Sequence, residues 1–371
     1  MPVLFFLPGI MGSHLAADGR RIWLDPIELA RGRLVRIAID SSKAVSPAGL
    51  VGMAYGRLAG YLESGHRVIR HDYDWRQPIA ELGKALAGRL RQALQDHPDQ
   101  PLRILAHSMG GLVVRAAFAA DPGLWAEIVA RPGQGVRLLM LGTPNQGSHL
   151  LVETLLGQSD TIRMLARLDL RQGLQAVLDI VAGFPGAVHL LPAPGFVDSG
   201  GVAPKDYYRA ETWAELGAIN DDFWFGRRLA GKPTQRVLDK ARAFWTAVAD
   251  TGWVAQAPER IAYVFGNADN TPCGLVLLDE GSRPFVRMRG TPHGDGSVTW
   301  ASGRLAGLPD ERCWHMAADH MGLTSTADHF ADIEALLTRG TPLRLGRLPL
   351  SRSETARVPV RDYRAGQIGR A

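Results

Sequence analysis

Two cysteines in 371 residues, Cys273 and Cys313, are too few for a disulfide framework, and no Cys/His cluster at zinc spacing accompanies them. A disulfide-stapled or metal-stapled domain is thereby excluded, and the pair reads as two thiols or one bridge. No apolar run is long enough to span a bilayer. The opening stretch, Met1 to Gly9, lacks both the basic start and the apolar length of a secretion leader, so it reads as a first strand and the expectation is a cytoplasmic protein. Internal repeats and low-complexity segments are also missing. A charge of one sign is missing from most of the chain as well. The formal net charge is +5, but eight arginines from Arg339 onward face only Glu354 and Asp362, a local excess of +6 that leaves the rest near −1. With a nearly neutral body, a nucleic-acid partner is not expected.

What remains is a chain long for one domain, or suited to one domain with a large insertion. Segments 3–7, 66–72, 102–106, 136–141 and 261–265, several of them mostly apolar, read as strands, with a last strand expected at 312–316. Gln77 to His97 carries helical spacing at Ile79, Leu82, Leu86, Leu90 and Leu94, and a closing helix is expected from about Ser325 to Arg339. Unbroken apolar strands alternating with helices predict an α/β fold with a mainly parallel sheet covered on both faces. Leu275 to Leu278 and Phe285 to Arg289 read as a hairpin around Asp279-Glu280-Gly281-Ser282. Residues 149–257 show helical segments (150–156, 161–168, 174–182) and no strand pattern, as expected of a cap inserted into a core formed by 1–148 and 258–340. Residues 341–371 read as a basic, solvated extension.

The densest signal is Leu-Arg-Ile-Leu-Ala-His-Ser-Met-Gly-Gly at 102–111. A strand running into Ser108, small residues two positions to either side (Ala106 and Gly110) and a following helix have the layout of a nucleophile elbow. Alanine stands where the strict pattern has glycine. The helix from 112 to 120 would aim its amino end at a developing oxyanion.

A serine hydroxyl is a weak nucleophile near neutral pH and needs a base with an orienting acid, in the chain order serine, acid, histidine for this layout. Asp295 in Gly294-Asp295-Gly296-Ser297-Val298 is the candidate acid, with Asp269, directly after the 261–265 strand, as its rival. His320 is the candidate base because it falls past the last strand, whereas His315 lies within it. His107, His293 and His329 read as structural. One oxyanion amide is expected from Met109, the residue after the nucleophile, and a second from the glycine-containing loop Leu7 to Ser13.

With these residues in hand, the sequence resembles the lecithin:cholesterol acyltransferase and lysosomal phospholipase A2 family of α/β-hydrolases. The resemblance is carried in order by Pro8-Gly9-Ile10-Met11-Gly12-Ser13, Ile22-Trp23-Leu24, Tyr73-Asp74-Trp75-Arg76, the elbow, Gly142 to Ser148, Phe184-Pro185 to Pro192, Gly294 to Val298, and His320. It implies an α/β-hydrolase fold, Ser108, Asp295 and His320 as the triad, and backbone oxyanion donors at Ile10 and Met109. It also implies a mobile lid segment at Trp23 near the acyl pocket. From the residues themselves, no metal and no cofactor are expected. The implied activity is acyl transfer from a phospholipid or related ester to water or an alcohol; transient contact with a membrane surface is a partner reading that stays open. The chain is expected to depart from the animal enzymes in lacking a secretion leader, their early disulfide-closed lid and an obvious membrane-binding loop, so interfacial lipid binding and a sterol acceptor are not carried over from the resemblance. The Tyr73 to Arg76 run is expected to be architectural, with Arg76 pairing Asp74. Two other readings stay open: a carboxylesterase or depolymerase on soluble or polymeric esters, and a hydrolase-fold interaction module docking a protein partner through 341–371.

Overall fold

A computed structural model describes residues 1–169, 171, 173–199, 205–219, 233–280, 283–347 and 361–363. Gly281 and Ser282 of the expected hairpin turn, residues 200–204 and 220–232 of the expected cap, and most of the extension beyond Arg347 lie outside them.

The chain enters through β1 (Val3–Leu7) and folds β2 (Ser13–Ala17), β3 (Arg20–Trp23) and β4 (Val45–Leu50) into a small antiparallel sheet in the order β3-β2-β4. It then returns to the main sheet with β5 (Arg67–Arg70), β6 (Leu102–His107), β7 (Leu138–Leu141) and β8 (Ile261–Phe265). β9 (Thr271–Glu280) and β10 (Arg283–Thr291) pair antiparallel. β11 (Cys313–His315), β12 (Gly346–Arg347) and β13 (Arg361–Tyr363) complete the described strands. The main sheet runs β12-β11-β8-β7-β6-β1-β5, parallel throughout except for the antiparallel β11–β12 pair at its edge.

Its central strands are buried on both faces, which is why they read as unbroken apolar runs. In β1, Val3, Phe5 and Leu7 enter one hydrophobic cluster while Leu4 and Phe6 enter the other. β7 divides in the same way, Leu138 and Met140 against Leu139 and Leu141, as a period of two requires. Helices Ile79–Asp96 and Met109–Ala120 cover the first face. Gly52–Leu62 and Phe330–Arg339 cover the second. A mainly parallel sheet with helices on both faces and a serine at the β6-to-helix turn is the α/β-hydrolase fold.

Several boundaries differ from expectation. The closing helix is not one run: a short helix at Gly322–Ser325 and a tight turn at Ala327–His329 precede Phe330–Arg339. The expected hairpin is longer than the 275–289 reading and joins β13 in a separate three-stranded sheet. The extension is not solvated from its first residue. Asp332 accepts the backbone N–H of Leu343 (2.9 Å) and Arg344 (2.6 Å), and the guanidinium of Arg347 lies 3.5 Å from the Trp314 ring centre. Cys273 and Cys313 are both buried, and no disulfide joins them. Among the described residues, no helix is long and apolar enough to cross a membrane.

Candidate active site

Parallel strands deliver their carboxyl ends to one edge, and the loops leaving that edge are where an open α/β sheet holds its ligands. β6 delivers Ser108, β8 leads to the loop holding Asp295, and β11 leads to His320. Ser108 sits at the elbow with φ 54° and ψ −126°, a conformation rare for a residue with a side chain. The turn is tight enough that a Cβ on Gly9 of the neighbouring loop would fall 2.8 Å from the Ser108 Cβ. Ser108 is 6% exposed.

The three candidate side chains meet in one row. His320 Nε2 lies 2.9 Å from Ser108 Oγ, and His320 Nδ1 lies 2.8 Å from Asp295 Oδ2. A carboxylate accepts, so Nδ1 is the donor and Nε2 is left to accept the serine hydroxyl, the tautomer a general base needs. Asp295 is 2% exposed and its remaining oxygen is engaged: Oδ1 accepts the backbone N–H of Ser297 (2.9 Å) and Val298 (2.7 Å). The His320 backbone N–H also donates to the Asp295 carbonyl at 2.8 Å. Room for this pair comes from Gly142 after β7, at φ 56°. A Cβ there would stand 2.9 Å from Asp295 Oδ2 and 3.1 Å from His320 Nδ1.

The rivals lie elsewhere. Asp269 is exposed in the loop after β8, and His315 sits in β11 with its ring against Trp300 (5.5 Å). His293 stacks on Trp300 at 4.7 Å, and His329 is 3.9 Å from Asp332 at the start of the closing helix.

The loop with Ile10 borders the serine on the other side. Met11 adopts φ 61°, and side chains anchor the loop's main chain. Trp23 Nε1 donates to the Met11 carbonyl (2.8 Å), Tyr73 Oη to that of Pro8 (2.6 Å) and Trp75 Nε1 to that of Ser13 (3.0 Å). Trp23 is thus buried at the end of β3, ring to ring with Trp75 at 5.4 Å, as a hold on this loop. Within the Tyr73 to Arg76 run, Tyr73 and Trp75 share this task, while Arg76 pairs Asp74 at 2.5 Å and donates to the Ile37 carbonyl. Met109 opens its helix, so its backbone N–H has no intrahelical partner and is available to an anion.

Two arrangements are not evident from the sequence. The acid loop is clamped from the 149–257 block and the residue before it: the Ser148 hydroxyl donates to the Ser297 carbonyl, and Asp198 accepts Thr299 Oγ1 at 2.7 Å and His149 Nδ1 at 3.1 Å. His107, expected as packing, is hydrogen-bonded on both ring nitrogens, to Tyr55 Oη at 3.0 Å and the His320 carbonyl at 2.9 Å. The polar residues are plain in the sequence, but each partner is far away along the chain.

No known family profile matches this chain, and no curated protein does. Among solved structures, it is similar to the mature lipase BlEst2 of Bacillus licheniformis, at 13% identity and TM-score 0.40, over 91% of this chain and 92% of that one. It is also similar to the phospholipase PlaB of Legionella pneumophila, at 14% identity and TM-score 0.34, over 78% of this chain and 50% of that one. The chain therefore spans half the length of the second.

Proposed function

We propose that this chain is a serine hydrolase or acyltransferase of lipid or fatty-acyl esters. The observation that carries the reading is the hydrogen-bonded row from Asp295 through His320 to the Ser108 hydroxyl. In the acylation step His320 Nε2 takes the hydroxyl proton as Ser108 Oγ bonds to the ester carbonyl carbon. Asp295 keeps Nδ1–H aimed and stabilises the imidazolium. The charge that collects on the former carbonyl oxygen meets the amides of Ile10 and Met109. Collapse of the tetrahedral intermediate breaks the ester C–O bond, and the alcohol leaves with the proton from His320. Water or a second alcohol then gives its proton to His320, attacks the acyl-serine and restores the free hydroxyl.

The motif series from Pro8 to His320 supports a donor of phospholipid or fatty-acyl ester type, in the manner of the lecithin:cholesterol acyltransferase and lysosomal phospholipase A2 family. In this reading the 149–257 block shapes the acyl pocket, beside the loop whose Met11 carbonyl Trp23 holds. The test is turnover of p-nitrophenyl esters of increasing chain length and of phospholipid vesicles by the wild type and Ser108→Ala. We expect Ser108→Ala to lower turnover roughly 10⁴-fold or more, and the wild type to favour long chains. Undiminished activity of Ser108→Ala contradicts the hydrolase reading. A preference for short soluble esters selects the carboxylesterase alternative.

A further inference from the structure

We infer that Tyr55 and His107 are positioning residues that tie the oxyanion loop to the main chain of His320, so that the stabilising amide and the base keep a fixed separation. The inference rests on the hydrolase reading above. It starts from an unbroken chain of three hydrogen bonds across four distant segments. The Gly9 N–H donates to Tyr55 Oη (2.9 Å), Tyr55 Oη lies 3.0 Å from His107 Nδ1, and His107 Nε2 lies 2.9 Å from the His320 carbonyl.

Its polarity is forced at one end. A carbonyl only accepts, so Nε2 carries the His107 proton, and a neutral imidazole then offers Nδ1 as an acceptor. The Tyr55 hydroxyl therefore donates to Nδ1 and accepts from Gly9. Every donor finds an acceptor in this one protonation state, whereas an imidazolium would leave the buried phenol proton without a partner. Both side chains are 1% exposed. Burial, with the His320 charge second, holds His107 well below the usual imidazole range, and burial keeps the Tyr55 phenol protonated.

A residue kept only for its volume would not need this arrangement. Neutral imidazole places a donor and an acceptor on separate ring edges, which lets one side chain bridge a hydroxyl on one side and a carbonyl on the other. The ring also packs at 4.7 Å from the His320 ring and 5.7 Å from that of Tyr55. Gly9 directly precedes Ile10, so a shift of the Gly9 amide moves the donor expected to face the oxyanion. Misplacement by about 1 Å at a reacting centre costs on the order of 100-fold in rate.

The experiment compares wild type, Ser108→Ala, Tyr55→Phe, His107→Leu and His107→Gln on one p-nitrophenyl ester, together with ¹⁵N spectra of histidine-labelled wild type at neutral pH. Tyr55→Phe keeps the ring and removes only the hydroxyl. We expect its kcat to fall about 10- to 100-fold with KM within about threefold. His107→Gln, which retains an amide donor toward the His320 carbonyl, should recover part of what His107→Leu loses. The ¹⁵N spectrum should show His107 neutral with its proton on Nε2. Tyr55→Phe within twofold of wild-type kcat, while Ser108→Ala is inactive, overturns the inference and leaves the hydrolase reading standing. An Nδ1–H tautomer or an imidazolium at His107 overturns it whether or not any variant folds. A wild type without turnover defeats the hydrolase reading, and with it the inference.

Discussion

At Ser108 the backbone holds a left-handed φ that costs on the order of 1–3 kcal/mol for a residue with a side chain, a strain that persists only where the surroundings over-determine it. Those surroundings are local in sequence at Ala106 and Gly110, which is why the amino-acid order alone marks the position of the serine. The acid is not marked to the same degree. Asp269 and Asp295 both follow β8, and what separates them is a loop geometry in which Ser297 and Val298 amides hold one carboxylate oxygen while the other faces His320. Two substitutions read out that difference. Asp295→Asn presents an amide to Nδ1 and favours the wrong imidazole tautomer, so its kcat on a p-nitrophenyl ester should fall roughly 10³- to 10⁴-fold. Asp269→Asn, at an exposed position, should stay within about twofold. Equal losses at the two sites would contradict the geometry.

Strands buried on both faces and the long helix Ile79–Asp96 are legible in the sequence because burial and periodicity leave a continuous trace. Gly52–Leu62 leaves none. Gly52, Gly56 and Gly60 lower its helix propensity, and the packing of Tyr55, Leu58 and Leu62 against the sheet decides the matter instead. β4 is hidden for a related reason, since Pro47 and an exposed face do not resemble a core strand. The packing of Ile79–Asp96 on Met109–Ala120 is testable at two glycines of one helix. A Cβ on Gly83 would stand 2.5 Å from the Ala116 Cβ, whereas one on Gly88 meets nothing within 4 Å. In urea unfolding, Gly83→Ala should destabilise by about 1–3 kcal/mol through overpacking. Gly88→Ala should stabilise by about 0.5–1 kcal/mol through helix propensity.

On the scale of the whole molecule, the sheet separates two hydrophobic clusters, and the 149–257 block reaches over its carboxyl edge to clamp the acid loop. That block carries a buried carboxyl, Glu153, whose pKa burial, with Asp160 second, pushes up to about 7. A carboxyl that binds its proton more tightly when folded stabilises the fold fully below its ordinary value near 4.5. That contribution is lost as pH rises from about 4.5 through about 7, on the order of 3 kcal/mol in all. Glu153→Gln should therefore raise stability at pH 8 relative to wild type and flatten the decline between pH 5 and 8, measured by urea unfolding at both ends. The anchoring of the extension is not legible in its own residues, because the Asp332 carboxylate and the Trp314 ring that hold it lie outside it in sequence. On the proposed reading, one hydroxyl among many is activated by its neighbours. The direct measurement is exposure of the folded protein to a fluorophosphonate, followed by peptide mapping of the adduct. A single phosphonylated residue, Ser108, is expected, with the adduct absent from Ser108→Ala. A protein that stays unlabelled, or that carries the adduct on another serine, would contradict it.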